Sequence, residues 1–428
     1  MPENKKIKII GGGLAGMEAS YFLLKEGFTV DLYEQRPIKS TGAHESEYLG
    51  ELVCSNSLKS KELTNACGLL KKEIEILGSL MVEAANVSSI PGGNALTVDR
   101  EVFAKYITDK LLSFPNFHLQ REEVTSLDDE LTIVCTGPLS SEGICKELES
   151  IIGSNFLSFF DASAPIVKKE SIDFTKAYFK SRFSQDDDAY INCPFSREEY
   201  FTFVKELLGA KKAILREFDT KYFEGCLPIE VIASRGIETL RHGPLKPFGL
   251  EKDKLSKPYA VVQLRQDNVL GNYYNLVGFQ TNLTYPEQKR VFSMIPGLEN
   301  AEFVRYGLMH RNTFINSPSV LNEDLSLKNK PNVFIGGQLS GCEGYVESAA
   351  IGLLAAIFVK QRIEQKQLHA PSKNTILGSL LNYILHASPS SFTPMNANWA
   401  LLSDTSKKNR EESIKKSISD MESYKICL

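Results

Sequence analysis

The strongest constraint on the fold of this chain lies at its N-terminal end. In KIKIIGGGLAGMEASYFLLKEGFTVDLYEQR a short apolar strand runs into Gly11-x-Gly13-x-x-Gly16, with Leu14 and Ala15 inside the turn, and then into a helix that ends near Gly27. Each glycine has its own physical reason: a tight turn at Gly11, close approach of the backbone to a pyrophosphate at Gly13, and close helix packing at Gly16. The helix N-terminus then presents unsatisfied amides to the phosphate charge. Glu34 closes the next strand 18 residues after Gly16, where a carboxylate holds a ribose hydroxyl pair. Strand, glycine turn, helix, strand and acid in this order specify a dinucleotide-binding fold.

A second glycine cluster stands near the other end, in NVFIGGQLSGCEGYVESAAIGLLAA. Here a strand enters Gly336, Gly337 and Gln338, then Gly341 and Gly344, and a helix of small residues begins at Tyr345. In two-part FAD domains such a late strand and helix carry backbone amides toward the isoalloxazine and ribityl arm, whereas a single nicotinamide-binding unit needs no return segment. The segment LTIVCTGP, ending near Gly137, adds a third strand-to-glycine turn on the adenine side. The three together favour FAD as the tightly held cofactor. The expected class is α/β, with a discontinuous Rossmann-like FAD-binding domain and an inserted α+β domain.

The length of 428 residues is ample for two such units. Rossmann-like periodicity runs to about Pro165. Alternating, aromatic segments such as YAVVQLRQDN and YYNLVGFQTNL then read as strands. The expected division is 1–165 with 330–428 for the FAD domain and 166–329 for the insertion, with a helical C-terminal region. MPENKKIKII enters the first strand with no apolar leader, and the longest apolar run, IGLLAAIFV, falls far short of the ~20 residues that span a bilayer. A cytoplasmic protein without membrane contact is the expectation. Eight cysteines lack any C-x-x-C spacing, so reduced thiols are expected, with neither a zinc site nor a dithiol motif. A net charge of −4 announces no global field for nucleic acid. Local basic clusters remain available: Lys168 with Lys169, Lys211 with Lys212, and Lys407, Lys408, Arg410, Lys415 and Lys416, the last group equally readable as a solvated helix face.

Two cysteines stand in unusual surroundings. Cys54 lies in a polar loop with Ser55, Asn56 and Ser57, and Cys226 sits between Gly225 and Pro228, where special backbone residues present a side chain. Either could equally be a buried packing residue, the common state of a thiol. Cys193, in INCPF, reads as structural. Tyr345 opens the return helix, where its ring either borders a flavin or packs in the core. His310, Arg311 and Asn312 form a dense polar triplet suited to charge-assisted hydrogen bonds with a ligand, or to a helix cap or turn. His44, ten residues before Cys54, either lowers the pKa of that thiol or is an exposed loop histidine.

The blocks ELVCSNSLKS, LTNACGLLKKE, AYINCPFSREE, FEGCLPIEV, KPYAVVQLRQDN, GLMHRNTFINSP and GCEGYVESAA, in this order, resemble the folate- and FAD-dependent tRNA uracil-5-methyltransferases, from the first glycine turn to PMNANWALL. Ser20, Ser340, Cys342 and His242 depart from the pattern and suggest a divergent branch whose RNA target need not be the usual one. The resemblance implies FAD, 5,10-methylenetetrahydrofolate as carbon donor, NAD(P)H as reductant and an RNA substrate, with no obligate protein partner. It implies that Cys226 adds to C6 of a uracil, and that Cys54, near the flavin, removes the C5 proton or guards the ring. A T-loop uridine of tRNA is the expected target and a 23S rRNA uridine the nearest rival. A plain NAD(P)H-dependent flavin oxidoreductase of a small molecule explains the glycine turns, but neither the two separated cysteines nor the large insertion.

Overall fold

The computed structural model describes residues 5–41, 43–153, 156–182, 189–213, 227–252, 257–402 and 409–428, with the backbone alone at 156–162 and 309–311. Strand β1 (Lys6–Ile10), helix α1 (Leu14–Lys25) and strand β2 (Thr29–Tyr33) make the first crossover, with Ile9 opposite Leu32 in parallel register. Ile7, Ile9, Val30 and Leu32 are fully buried, as a parallel strand covered on both faces requires. The sheet runs Ser326–Leu327, Lys330–Ile335, Thr132–Val134, β1, β2, Phe117–Gln120, parallel except for its first, two-residue strand. This order sets three parallel strands side by side, so the turns at Gly11, Gly137 and Gly336 open together at their C-terminal ends. A crevice there is where sheets of this kind bind ligands.

The late helix, Tyr345–Ile363, packs directly on α1. A Cβ on Gly352 would come within 2.3 Å of the Ala15 carbonyl oxygen, so the small-residue run of this helix is what lets the two backbones approach. The expected strand–glycine–helix pattern at both ends therefore forms one layered unit.

The insertion builds a second sheet, in the order Tyr178–Phe179, Tyr190–Phe195, Ala260–Gln266, Tyr273–Leu276, Ile166–Lys168, Phe303–Arg305, antiparallel throughout. It has its own core, which includes Phe195, Phe203, Leu264, Phe279 and Phe292. The long antiparallel pair Phe156–Ala162 and Met309–Ile315 carries the chain into and out of this unit. The return comes earlier than the sequence suggests: Ile315, Val320, Leu321, Leu325 and Leu327 pack in the first core, not the second. Apolar alternation marks a strand but does not say which core it faces.

Buried carboxylates fasten the helices of the FAD unit. Glu73, fully buried, accepts the amides of Ile376 and Leu377 at 2.8 Å each and the Ser417 hydroxyl at 2.5 Å, tying three helices together. Burial raises its pKa from 4.5 to about 7, against the opposing effect of those three donors. The native carboxyl thus binds its proton more tightly than the unfolded one, and that contribution, complete below 4.5, is lost as pH rises to about 7. Glu73→Ala should cost roughly 2–4 kcal/mol in urea unfolding through stranded donors. The stability of the wild type relative to Glu73→Gln should fall across the same pH window; a pH-independent difference would contradict the account.

Candidate active site

A cleft opens at the C-terminal ends of the three parallel strands. Gly11 to Ala15, Glu34, Arg36, His44, Thr136 to Ser141, Gln338, Tyr345 and Ser348 are among the residues that line it. Two kinds of glycine stand here. Gly11 has φ +103° and a Cβ would lie 2.5 Å from the Cys135 carbonyl oxygen, and at Gly16 a Cβ would lie 1.9 Å from that of Gly11; both are required by the protein itself. Gly13 is different: its φ of −76° suits any residue, and nothing lies within 4 Å of its Cβ position. Gly137, at φ +67°, also faces open space. A glycine that no neighbouring atom demands, at the N-terminus of α1, leaves room for a phosphate against the helix amides. The cradle fits the pyrophosphate of FAD.

Glu34 lines the cleft just beyond β2. Its Oε2 accepts the Gly12 amide at 2.9 Å and its Oε1 accepts Arg36 through N at 3.0 Å and Nε at 2.9 Å. Burial works against its charge, but the Arg36 hydrogen bond and charge more than offset this and hold the carboxyl below its usual range. Oε1 is saturated by these two bonds, and Oε2, with one, keeps acceptor capacity for a hydroxyl. Arg36, only 2% exposed, also donates to Glu51 Oε2 at 2.8 Å and so fixes the loop that leads to Cys54. His44 is not exposed. It lines the cleft, with Nδ1 2.6 Å from Thr41 Oγ1, and burial and the Arg36 charge push its pKa down to about 4, so the ring is neutral at physiological pH.

The return segment meets the cysteine loop at one atom. Tyr345 Oη accepts the Cys54 amide at 2.7 Å and the Ser55 amide at 3.1 Å. Burial foremost raises the Tyr345 pKa, so the hydroxyl stays neutral. Gly344 precedes it at φ +118°, a conformation that favours glycine. Gly337, at φ +71°, packs against Ala15, and Gly341, at φ +88°, against the Phe392 ring; both shape the segment without lining the cleft. Gln338 lines it and donates to Glu343 at 2.5 Å.

The insertion clamps the same loop from the other side. Arg265 donates from Nε to Asn56 Oδ1 at 3.1 Å and from Nη2 to Ser55 Oγ at 2.8 Å, while Arg305 Nη2 donates to the Val53 carbonyl at 3.1 Å. Arg100 donates to the Leu52 carbonyl and to Asp267 Oδ1, each at 3.1 Å. Sequence reasoning missed Arg36, Arg100, Arg265, Asp267 and Arg305. Only the block KPYAVVQLRQDN carried a signal, as a family resemblance without an assigned role.

Cys54 is half-buried between these groups. Cys226 lies outside the described residues. Cys193 is fully buried in the second core, and burial pushes its thiol pKa up, as a packing residue requires. His310, Arg311 and Asn312 fall on the Met309–Ile315 strand. The side chains of His310 and Arg311 lie outside the described residues; Asn312 is buried with its Oδ1 unpaired and does not line the dinucleotide cleft.

The two kinds of glycine should separate by substitution. Gly13→Ala should leave the melting temperature of the flavin-free chain unchanged and weaken FAD binding tenfold or more, a loss of about 1.4 kcal/mol or above. Gly16→Ala should lower the stability of the flavin-free chain itself. Flavin fluorescence titration beside thermal unfolding reads both, and unaltered FAD affinity in Gly13→Ala would contradict the assignment.

Comparisons with known proteins agree with this geometry. The family model described as glucose inhibited division protein A matches residues 6–367. A protein of Listeria monocytogenes named methylenetetrahydrofolate–tRNA-(uracil-5-)-methyltransferase TrmFO is 52% identical over 408 residues, 95% of this chain and 94% of its own. Its namesake from Lactobacillus johnsonii is 50% identical over 431 residues, covering 98% of each. The crystal structure of Aquifex aeolicus GidA in form I superposes with a TM-score of 0.71 at 15% identity, over 99% of this chain and 76% of that one, which shows a shared fold. The chain belongs to the glucose inhibited division protein A family, among relatives named methylenetetrahydrofolate–tRNA-(uracil-5-)-methyltransferase.

Proposed function

We propose that this protein is a folate- and FAD-dependent methyltransferase that makes 5-methyluridine in tRNA, at a T-loop uridine. The observation that carries the reading is the bond from the Cys54 amide to Tyr345 Oη, which ties a cysteine loop to a cleft that Val53 and Tyr345 both line. The name borne by relatives at about half identity over nearly the whole chain supports the substrate. No helix among the described residues is long and apolar enough to cross a membrane, and a cytoplasmic location fits access to tRNA.

The chemical difficulty is that C5 of uracil is a poor nucleophile. Addition of the Cys226 sulfur to C6 breaks the C5–C6 double bond and moves its electron pair toward C5, which then attacks the donated one-carbon unit. Cys54 takes the C5 proton as the bond from the one-carbon unit to its donor nitrogen breaks and the amine leaves, giving an exocyclic methylene; hydride addition there, with expulsion of the Cys226 sulfur from C6, restores the C5–C6 double bond. When bound, FAD supplies the hydride that completes the methyl group, with NAD(P)H as its reductant and methylenetetrahydrofolate as the source of carbon. Tyr345 holds the Cys54 backbone during these steps. Asn312, buried with an unpaired carboxamide oxygen, is the described member of the polar triplet proposed to meet the folate. The uridine must leave its stack to reach a thiol, so RNA shape matters for recognition as much as base identity.

Trapping tests this assignment. A tRNA carrying 5-fluorouridine, which has no C5 proton to release, should form a stable covalent adduct with the protein. Cys226→Ala should abolish the adduct, and Cys54→Ala should stop turnover on ordinary tRNA while the adduct survives. An adduct that persists in Cys226→Ala would overturn the assignment of the nucleophile.

A further inference from the structure

The loop that carries Cys54 lies in an unusual electrostatic setting. Arg265, on the Ala260–Gln266 strand, is 8% exposed, and its hydrogen-bond acceptors, Asn56 Oδ1 and Ser55 Oγ, are both neutral. Arg100, at the start of the Arg100–Leu112 helix, has its side chain 14% exposed and its Nε buried without a partner. Its Nη1 caps the Leu52 carbonyl and its Nη2 pairs with Asp267. The Cys54 sulfur is within electrostatic reach of both guanidinium groups and of Tyr345. Among the described residues, the charged and titratable groups that meet this loop include Arg100 and Tyr345 from the FAD unit, Arg265, Asp267, Tyr190 and Arg305 from the insertion, and Glu45, which pairs with Arg305 at 3.3 Å. Three guanidinium charges thus meet two carboxylates, with Arg265 bonded only to neutral acceptors.

A guanidinium keeps its proton in a protein, and a buried cation with only neutral partners is costly unless an anion lies near. The loop offers one group that becomes an anion close to neutral pH, the thiol of Cys54. We propose that Arg265 and Arg100 are positioning residues that hold the Cys54 sulfur as a thiolate, so that docking of the insertion completes a reactive cysteine. The thiol proton leaves to solvent, and the negative charge on sulfur offsets the surplus cation. Asp267 sets the strength of the effect by neutralising part of the field of both Arg100 and Arg265. His44, neutral and engaged with Thr41, supplies no charge for it. The inference rests on the proposed function only for the purpose of the thiolate, a base for the C5 proton; its existence is a separate question.

The test is the rate of iodoacetamide alkylation at Cys54 against pH, read by peptide mass spectrometry on the full-length protein as purified with FAD. The wild type should reach half-maximal rate well below the ordinary thiol value of about 8.5. Arg265→Gln should raise that midpoint by about one unit and slow alkylation at pH 7 about tenfold. Arg265→Lys, which keeps the charge, should stay near the wild type. Asp267→Asn should move the midpoint the opposite way, to lower pH. That reversal separates a field effect from loosening of the loop, which would shift every variant alike, and it decides the matter if Arg265→Gln fails to fold. A wild-type midpoint near 8.5, or a shift of Asp267→Asn in the same direction as Arg265→Gln, overturns the proposal. Neither result depends on methylation of RNA, so failure of the functional reading would be seen apart from it.

Discussion

Tyr345 Oη, accepting the amides of Cys54 and Ser55, joins the two ends of the chain at one atom. The tyrosine opens the helix that packs on α1 through Gly352, and α1 opens at the glycine turn. The cysteine loop is therefore indexed to the dinucleotide cleft through the buried Tyr345 side chain and the packed helix that carries it. Two neutral amide hydrogen bonds are individually worth about 1 kcal/mol each. Their value here is positional, since a displacement of about 1 Å costs catalysis far more than it costs stability.

The insertion does more than add a surface. Arg265 and Arg305 cross from its sheet to bond atoms between Ala43 and Asn56, and Asp267 pairs with Arg100 of the FAD unit. The loop thus has one wall from each core. Tyr345 holds its backbone from one side and guanidinium groups hold its side chains and carbonyls from the other. Arginine suits this role, because its planar fork serves several acceptors at once and its charge does not vanish on burial.

Much of this was legible in the sequence. The glycine turns, the acid at Glu34 and the return strand and helix all appear where spacing puts them, because they answer to local backbone needs that leave residue-type signatures. Arg100 and Arg265 leave none. An arginine inside an otherwise apolar strand, or just after a helix cap, looks the same whether it faces solvent or a thiol 46 or 211 residues away in the chain. His44 was misread for the same reason, since its neutrality comes from Arg36 and from burial rather than from its own neighbours. The chain rejoins the first core before position 330 through Ile315, Val320, Leu321, Leu325 and Leu327, a turn that no local pattern in the sequence marks. Cys226 was singled out by its glycine and proline neighbours and lies outside the described residues, so its role rests on chemistry and family likeness.

The central claim is that folate carbon reaches C5 of a tRNA uridine on this protein. It is tested most directly by incubating an unmodified tRNA transcript with the FAD-loaded protein, NADPH and methylenetetrahydrofolate labelled with carbon-13 in its methylene, then digesting the RNA for nucleoside mass spectrometry. The account predicts 5-methyluridine carrying the label in its methyl group, from the wild type and from neither Cys226→Ala nor Cys54→Ala. Unlabelled product, or product on a ribosomal RNA transcript with none on tRNA, would contradict it.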